Sequence, residues 1–403
     1  MQNSNQNKST QQITIIGIHD RQPEFSAEIK SIISTCCCFA GGKRHYELVK
    51  EWLPTNASWT FITVPLSNLF DNICANKHNW VVFASGDPLF FGIGNTLKRE
   101  IPSADIQTFA EMNSLQQLGH RFELNYGEYK TISLTGRNWN ELDKALIQGE
   151  PKMGILTDRK NTPHSIALRL LKYGYSNYKM YYGEHLGGKE ERVLKLTLDE
   201  ALELNAEHPN CFFLHKTDDT IPRKGIPETD FISLEGRPKM ITKMGIRLST
   251  LALMKLSSKS VLWDIGACTG SVSIEARLHH PHLKVIAFEV RQKSEKIIRK
   301  NCQKFQTPGI ELHMGDYLTT NKADCLKPDA VFLGGYGGKM EEILDDISTF
   351  LSEKGTIAFN SVSHESRNRF LAWTINNHFE VKHDQCIQIN EHNPIHILII
   401  ERS

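Results

Sequence analysis

Apolar positions along the chain follow two alternating patterns: short β-branched runs, and longer stretches in which apolar residues recur three and four apart. The first pattern fits buried strands and the second amphipathic helices, so their alternation predicts an α/β architecture throughout. In the first half, strands are predicted at Ile13–Ile18, Trp80–Ala84, Lys130–Leu134, Met153–Thr157 and Lys179–Tyr182, with a last one near Cys211–Leu214. Helices are predicted at Phe25–Ser34, Trp139–Gln148 and Pro163–Tyr173. The run Lys216-Thr-Asp-Asp-Thr-Ile-Pro-Arg-Lys-Gly-Ile-Pro is polar, with two prolines and a glycine, and marks a linker. Domains are accordingly expected at 13–216 and 226–403, joined by a linker at 217–225 and preceded by a disordered polar lead-in at 1–12.

The second half is more regular. A helix predicted at Thr242–Lys255 precedes strands at Ser260–Asp264, Lys284–Phe288, Gly309–His313, Ala330–Leu333 and Thr356–Phe359, with two late ones near Glu380–Ile389 and Ile395–Glu401. Five crossover-linked strands followed by a closing hairpin fit a seven-stranded Rossmann-like sheet. The two halves do not repeat each other.

Composition narrows the function. A chain of 403 residues suits two domains of roughly 200 each. Lys+Arg number 47 against Asp+Glu 46, a net charge of +1, which argues against a partner bound by neutralising phosphates. No apolar run approaches the ~20 residues of a membrane span, and no signal-peptide core is visible, so a cytoplasmic protein is expected. Most of the nine cysteines stand singly in apolar surroundings, as reduced thiols do. Cys36, Cys37 and Cys38 are expected on a buried strand, where neighbouring side chains alternate faces and cannot close around a metal. The histidines read as surface and core residues, and no metal is expected.

The sharpest local signal is Val261-Leu-Trp-Asp-Ile-Gly-Ala-Cys-Thr-Gly-Ser-Val-Ser273. A buried strand ends in an acid, then turns through glycines into a helix, a geometry that admits a ligand close to the backbone. Glu289, at the tip of the next predicted strand, stands at the ~20-residue offset where a carboxylate takes ribose hydroxyls. Met314-Gly-Asp-Tyr317 follows the third strand and suits an adenine amino group. Three consecutive strand tips thus define a crevice for a nucleoside with a charged tail. The plainer alternatives are a helix cap for Asp264 and a surface role for Glu289; NAD is the nearest rival ligand. Phe332-Leu-Gly-Gly-Tyr-Gly-Gly338, at the fourth strand tip, leaves room for a large planar substrate.

On Ile241-Thr-Lys243, Trp263-Asp-Ile-Gly-Ala267, Gly270-Ser-Val-Ser-Ile-Glu275, Glu289 and Phe332-Leu-Gly-Gly335, the second half resembles the decarboxylating C15-methyltransferases of corrin biosynthesis. The resemblance implies a class I, S-adenosylmethionine-dependent methyltransferase fold. Thr242, Gly266, Ala267, Cys268, Thr269, Gly270, Glu289, Asp316 and Tyr317 would then line the cofactor. Two positions depart from the family: Cys268 stands where glycine is common, and Gly245 where an acid is common.

In the first half, Val82-Phe-Ala-Ser-Gly-Asp-Pro-Leu-Phe-Phe-Gly-Ile-Gly94 follows a strand and opens a helix. With Gly41-Gly-Lys-Arg-His45, Ser133-Leu-Thr-Gly-Arg137, Leu156-Thr-Asp-Arg-Lys-Asn-Thr-Pro163 and Gly183-Glu-His-Leu-Gly-Gly188, it resembles the tetrapyrrole methylase family, nearest the C5-methyltransferases of the same pathway. That implies a two-lobed α/β fold, with Ser85, Gly86, Asp87, Phe90, Gly92, Asn113, Ser114 and Thr157 beside a second S-adenosylmethionine. The family's G-x-G-P-G turn is replaced here by Gly17-Ile-His-Asp-Arg-Gln-Pro23, so the cleft is either reshaped around His19 and Arg21 or impaired.

Together the resemblances imply methylation of C5 and C15 of a corrin precursor and loss of the carboxyl of its C12 acetate. Alignment of an activated methyl with an electron-rich carbon needs no triad, metal or strong base. The substrate carries many carboxylates, so Arg44, Arg137 and Arg21 in the first half, and Arg237, Lys243, Arg247 and Lys339 in the second, are candidate anchors. Gly334 and Gly335 would adjoin the macrocycle, and His364 is the candidate catalytic side chain. Two other readings remain: a first half that only docks substrate or assembles the protein, and an RNA methyltransferase. A homo-oligomer is expected from the behaviour of related domains.

Overall fold

The computed structural model describes residues 11–237, 240–389 and 393–402. The chain forms two compact units. One comprises the chain up to Arg137 with Lys152–Ala167 and Tyr178–His215; the other comprises Asn138–Pro151, Leu168–Asn177 and the chain from Lys216 on. Residues 1–10 of the expected lead-in lie outside the described residues, and Gln12 already opens the first strand.

In the first unit, β1 (Gln12–Ile18), β2 (Cys38–Gly41), β3 (Ser58–Phe61), β4 (Trp80–Ser85) and β5 (Asp105–Phe109) form a sheet in the order β3-β2-β4-β1-β5. Its pairings are parallel. β1 and β4 are central and read as nearly continuous apolar runs, as strands covered on both faces do. Of the cysteine run only Cys38 enters a strand; Cys36 ends the helix Ala27–Thr35. A second lobe of the same unit holds β6 (Lys130–Ser133), β7 (Lys152–Leu156), β8 (Tyr178–Glu184), β9 (Arg192–Thr197) and β10 (Asn210–Lys216), ordered β6-β7-β10-β8-β9. This sheet mixes directions: β6 and β7 are parallel, whereas β10 runs antiparallel to β7 and β9 to β8.

The second unit is built on β11 (Val261–Ile265), β12 (Lys284–Glu289), β13 (Ile310–Met314), β14 (Ala330–Leu333), β15 (Thr356–Ser361), β16 (Phe379–Ile387) and β17 (Ile395–Arg402). Their order is β13-β12-β11-β14-β15-β17-β16, with five parallel strands and β17 antiparallel to its neighbours β15 and β16. Strand order reverses at β11: β12 lies on one side and β14 on the other. Such a switch point opens a crevice at the carboxyl ends of the strands, where ligands of open α/β sheets bind. Trp263 anchors the core below it, fully buried, with rings of Phe288 and Phe350 at 5.2 and 5.5 Å.

Candidate functional site

The crevice of the second unit is shaped by backbone contact. A Cβ added at Gly266, past the tip of β11, would lie 2.6 Å from the backbone nitrogen of Gly335, past the tip of β14. Gly266 also has φ +78°, so two glycine loops touch where a side chain would force them apart. On one side of this contact lie Glu289, Arg291, Gly315, Asp316, Tyr317 and Lys339; on the other lie Thr242, Lys243, Asp264, Ala267, Cys268, Thr269, Gly334 and Asn360.

Glu289 is buried, and its carboxylate accepts from the Cys268 backbone N–H at 2.7 Å and the Arg291 backbone N–H at 2.8 Å. Arg291 adds its guanidinium at 3.1 Å. The β12 tip therefore holds the turn that follows β11. Asp264 is buried, with Oδ2 bonded to the Ser273 backbone N–H and hydroxyl while Oδ1 has no partner among the described residues. Burial pushes its carboxyl up to about 6; the Ser273 bonds oppose this and the Glu289 charge adds to it. The buried hydroxyl of Thr269 is also without a partner among the described residues. Orphaned buried oxygens in a pocket wall call for a ligand that completes them. An ammonium tail opposite Asp264 and ribose hydroxyls opposite Glu289 fit this donor and acceptor set.

Cys268 occupies a left-handed conformation, φ +53°, and its thiol donates to the Met240 carbonyl at 3.1 Å. Burial pushes that thiol up to about 11, so it stays protonated. Gly270 lies in the turn beneath the pocket, packed toward Ile298. The Tyr317 ring is turned into the core against Trp263 and Phe288, while Asp316 is ion-paired with Lys339 at 3.2 Å. A Cβ at Gly245 would meet the terminal Cδ1 of Ile389 at 2.8 Å, a contact that a shift of that side chain relieves.

Arg247 does not face the crevice. It is fully buried, paired with buried Glu275 at 3.1 Å, and bonded to the carbonyls of Thr242 and Ile226. A guanidinium so enclosed holds the segment before its own helix, Met244–Leu253, and corrects the expectation of a substrate anchor. Arg237 and Lys339 are exposed, and Lys243 is partly buried in the pocket wall. His364 is exposed at the start of the helix His364–Asn376, near His396, and is not among the residues lining the crevice. Sequence reasoning missed Arg291 and Asn360. Arg291, two residues past Glu289, could have been found as the cation nearest the ribose acid.

The first unit holds its own pocket, lined by Ser85, Gly86, Asp87, Phe90, Asn113 and Ser114 together with His19, Asp20, Arg44, Gln117, Asn210 and Cys211. Gly92 caps the helix Ile93–Glu100 and Thr157 bonds Asn210 at 2.6 Å; neither lines this pocket. The altered turn is tied down. Asp20 pairs with Arg44 at 3.2 Å and with His185 at 3.3 Å, while His19 bonds Glu111 and Gln117, each at 3.0 Å. Gly17 is indispensable, since a Cβ would lie 1.8 Å from the Gly86 carbonyl oxygen. Burial, with Arg44 adding to it, lowers His45 to about 4, so its ring is neutral. Nδ1 accepts from the Gly42 N–H, which leaves Nε2–H to donate to Ser85 Oγ at 3.0 Å. Arg44 donates to the same oxygen at 2.7 Å, so the Ser85 hydroxyl proton is left for a ligand. Arg137 is exposed over the Phe91 ring and is not among the pocket residues.

Among the described residues, Glu311, His313 and Cys325 form a group with metal-ligand atoms within 4.8 Å of one another. In it His313 bonds Glu311 at 2.6 Å and stacks on Phe288. No helix among the described residues is long and apolar enough to cross a membrane.

A seven-stranded sheet in this order, with a glycine turn after its first strand and a buried acid at its second, defines a class I methyltransferase domain. Residues 236–395 match the family model described as precorrin methyltransferase domain. The chain is 29% identical over 358 residues to a precorrin-6Y C(5,15)-methyltransferase [decarboxylating] of Sinorhizobium sp., covering 87% of this chain and 84% of that protein. It is 32% identical over 160 residues to a cobalt-precorrin-6B C(15)-methyltransferase (decarboxylating) of Salmonella typhi, covering 40% of this chain and 81% of that one. A solved precorrin-6y C5,15-methyltransferase structure from Geobacter metallireducens GS-15 aligns at 31% identity and TM-score 0.41, over 45% of this chain and 98% of that one. The chain belongs to the precorrin methyltransferase family.

Proposed function

We propose that the chain is a bifunctional, S-adenosylmethionine-dependent C-methyltransferase of cobalamin biosynthesis. It methylates C5 and C15 of a precorrin-6-type macrocycle and removes the carboxyl of the C12 acetate. The observation that carries this reading is the crevice at the strand switch point, where an orphaned Asp264 oxygen, Glu289 and two touching glycine loops match a nucleoside with a cationic tail. The similarity to the Sinorhizobium protein extends it to both halves.

Bound there, S-adenosylmethionine would supply a methyl group already activated by its sulfonium. The residues of the chain bind and align. Asp264 would take the ammonium, Gly266 to Thr269 the amino-acid tail, Glu289 the ribose, and the backbone around Asp316 the adenine. Gly334 and Gly335 would leave the macrocycle space beside them; Lys243, Arg291 and Lys339, which line the crevice, and exposed Arg237 are the candidate cations for its carboxylates. Holding the reacting carbons in line contributes ~7–11 kcal/mol without any proton-transfer residue. In the first unit, the Ser85 hydroxyl, Gly86, Asp87 and Asn113 would hold a second cofactor, with Arg44 toward the substrate. The protein acts as a homo-oligomer in the cytoplasm.

Calorimetry with S-adenosylhomocysteine tests the two-site reading on the full chain. Two binding events are expected, one strongly weakened by Glu289→Ala and the other by Gly86→Val. A single event in the unaltered protein contradicts a cofactor in each half and favours a first half that only docks the substrate.

A further inference from the structure

Asn360 stands near the end of β15, its backbone paired across to Ile397 of β17. It lines the crevice, whose wall includes apolar Ile246 and Phe332 as well as polar Thr242, Lys243 and Asp264. Thr250, itself buried, sets the amide: its Oγ1 lies 3.0 Å from Asn360 Oδ1. The amide nitrogen is buried and has no hydrogen-bond partner among the described residues. A buried donor is rarely left unpaired, and one in a pocket wall marks where a ligand atom completes it.

Sheet order indicates which ligand. Glu289 and Asp316 stand at the tips of β12 and β13, on one side of β11, whereas Asn360 lies two strands away on the other. A nucleoside laid over β12 and β13 leaves the amide to the substrate. We propose that Asn360 Nδ2 holds the substrate carboxylate that is lost as carbon dioxide, a role that rests on the function proposed above.

A neutral donor suits that role. A guanidinium or ammonium at this point would stabilise the carboxylate more than the carbon-centred charge that replaces it, and would raise the barrier. The amide orients the group without neutralising it, and buried Ile246 and Phe332 line the same crevice. The bond between the carboxyl carbon and the methylene breaks and carbon dioxide leaves. The electron pair passes into the conjugated macrocycle, and a proton from water completes the methyl group left on the ring.

The test compares full-length protein with Asn360→Leu, Asn360→Asp and Thr250→Val, reading methyl gain and carbon dioxide loss separately by mass spectrometry. Asn360→Asp keeps the shape and removes the donor, so it answers the question even if Asn360→Leu folds poorly. For both Asn360 variants, carbon dioxide loss should fall relative to methyl gain by roughly tenfold or more, the order expected for one hydrogen bond to a charged group. Their affinity for S-adenosylhomocysteine should be unchanged, and Thr250→Val, which frees the amide to turn, should fall between. Asn360 variants that keep the normal ratio overturn the proposal alone. Unaltered protein that leaves the macrocycle unchanged overturns the underlying function and the proposal with it.

Discussion

The backbone N–H of Cys268 donates to the Glu289 carboxylate at 2.7 Å, so the acid at the tip of β12 fixes the turn that follows β11. Glu289 thus has two tasks, shaping the loop and, in the proposed complex, taking the ribose. Glu289→Ala should weaken S-adenosylhomocysteine binding in the second half by about 100-fold or more, since hydrogen bonds to charged groups are worth ~1.5–3 kcal/mol each. Glu289→Gln, which keeps one acceptor oxygen for the loop, should lose less. Calorimetry on both variants checks the order.

Asp264 predicts a pH dependence. Burial holds its carboxyl at about 6 in the free protein, and a bound ammonium favours the ionised form. Binding therefore releases a proton as pH falls below that value, and affinity tightens as pH rises. The dissociation constant of S-adenosylhomocysteine in the second half should increase about tenfold per pH unit below 6 and level off above about pH 7. Asp264→Asn should bind weakly with a flat profile over the same range.

Arg247 and Glu275 form a fully buried pair, and removing one partner leaves the other charge uncompensated. Arg247→Ala should cost the second unit about 3–5 kcal/mol, seen as a lower unfolding midpoint. A surviving fraction should show an unchanged KM for the macrocycle. A raised KM with unchanged stability would return Arg247 to the role of substrate anchor.

In the first unit, Gly17→Ala drives a methyl group into the Gly86 carbonyl, which lies 1.8 Å from the position a Cβ would take. Methylation at C5 should be lost while C15 methylation and decarboxylation continue, so the product gains one methyl and loses carbon dioxide. Unchanged C5 methylation would mean that this approach is not part of a working site.

The sheet of the second unit was legible because most of its parallel strands are buried and read as nearly continuous apolar runs, β14 above all. β3 and β9 were not, because they are partly exposed and carry no such run. The glycine turn, Glu289 and the Ser85–Asp87 turn stood out because glycines and acids follow apolar strands there. Arg247 was misread because sequence does not distinguish an enclosed arginine from a solvated one; only Glu275, on the helix packed against it, decides the matter. Asn360 escaped notice for a related reason: its unpaired amide exists only once Thr250 is brought across from a distant helix. The side chains of the altered Gly17–Pro23 turn gave no hint of partners, which come from Arg44, Glu111, Gln117 and His185.

Incubating the purified full-length protein with the precorrin-6-type macrocycle and excess S-adenosylmethionine, then weighing the product by mass spectrometry, tests the bifunctional activity. Two methyl groups gained and one carbon dioxide lost are expected. An unchanged mass with both the metal-free and the cobalt-loaded ring would contradict it.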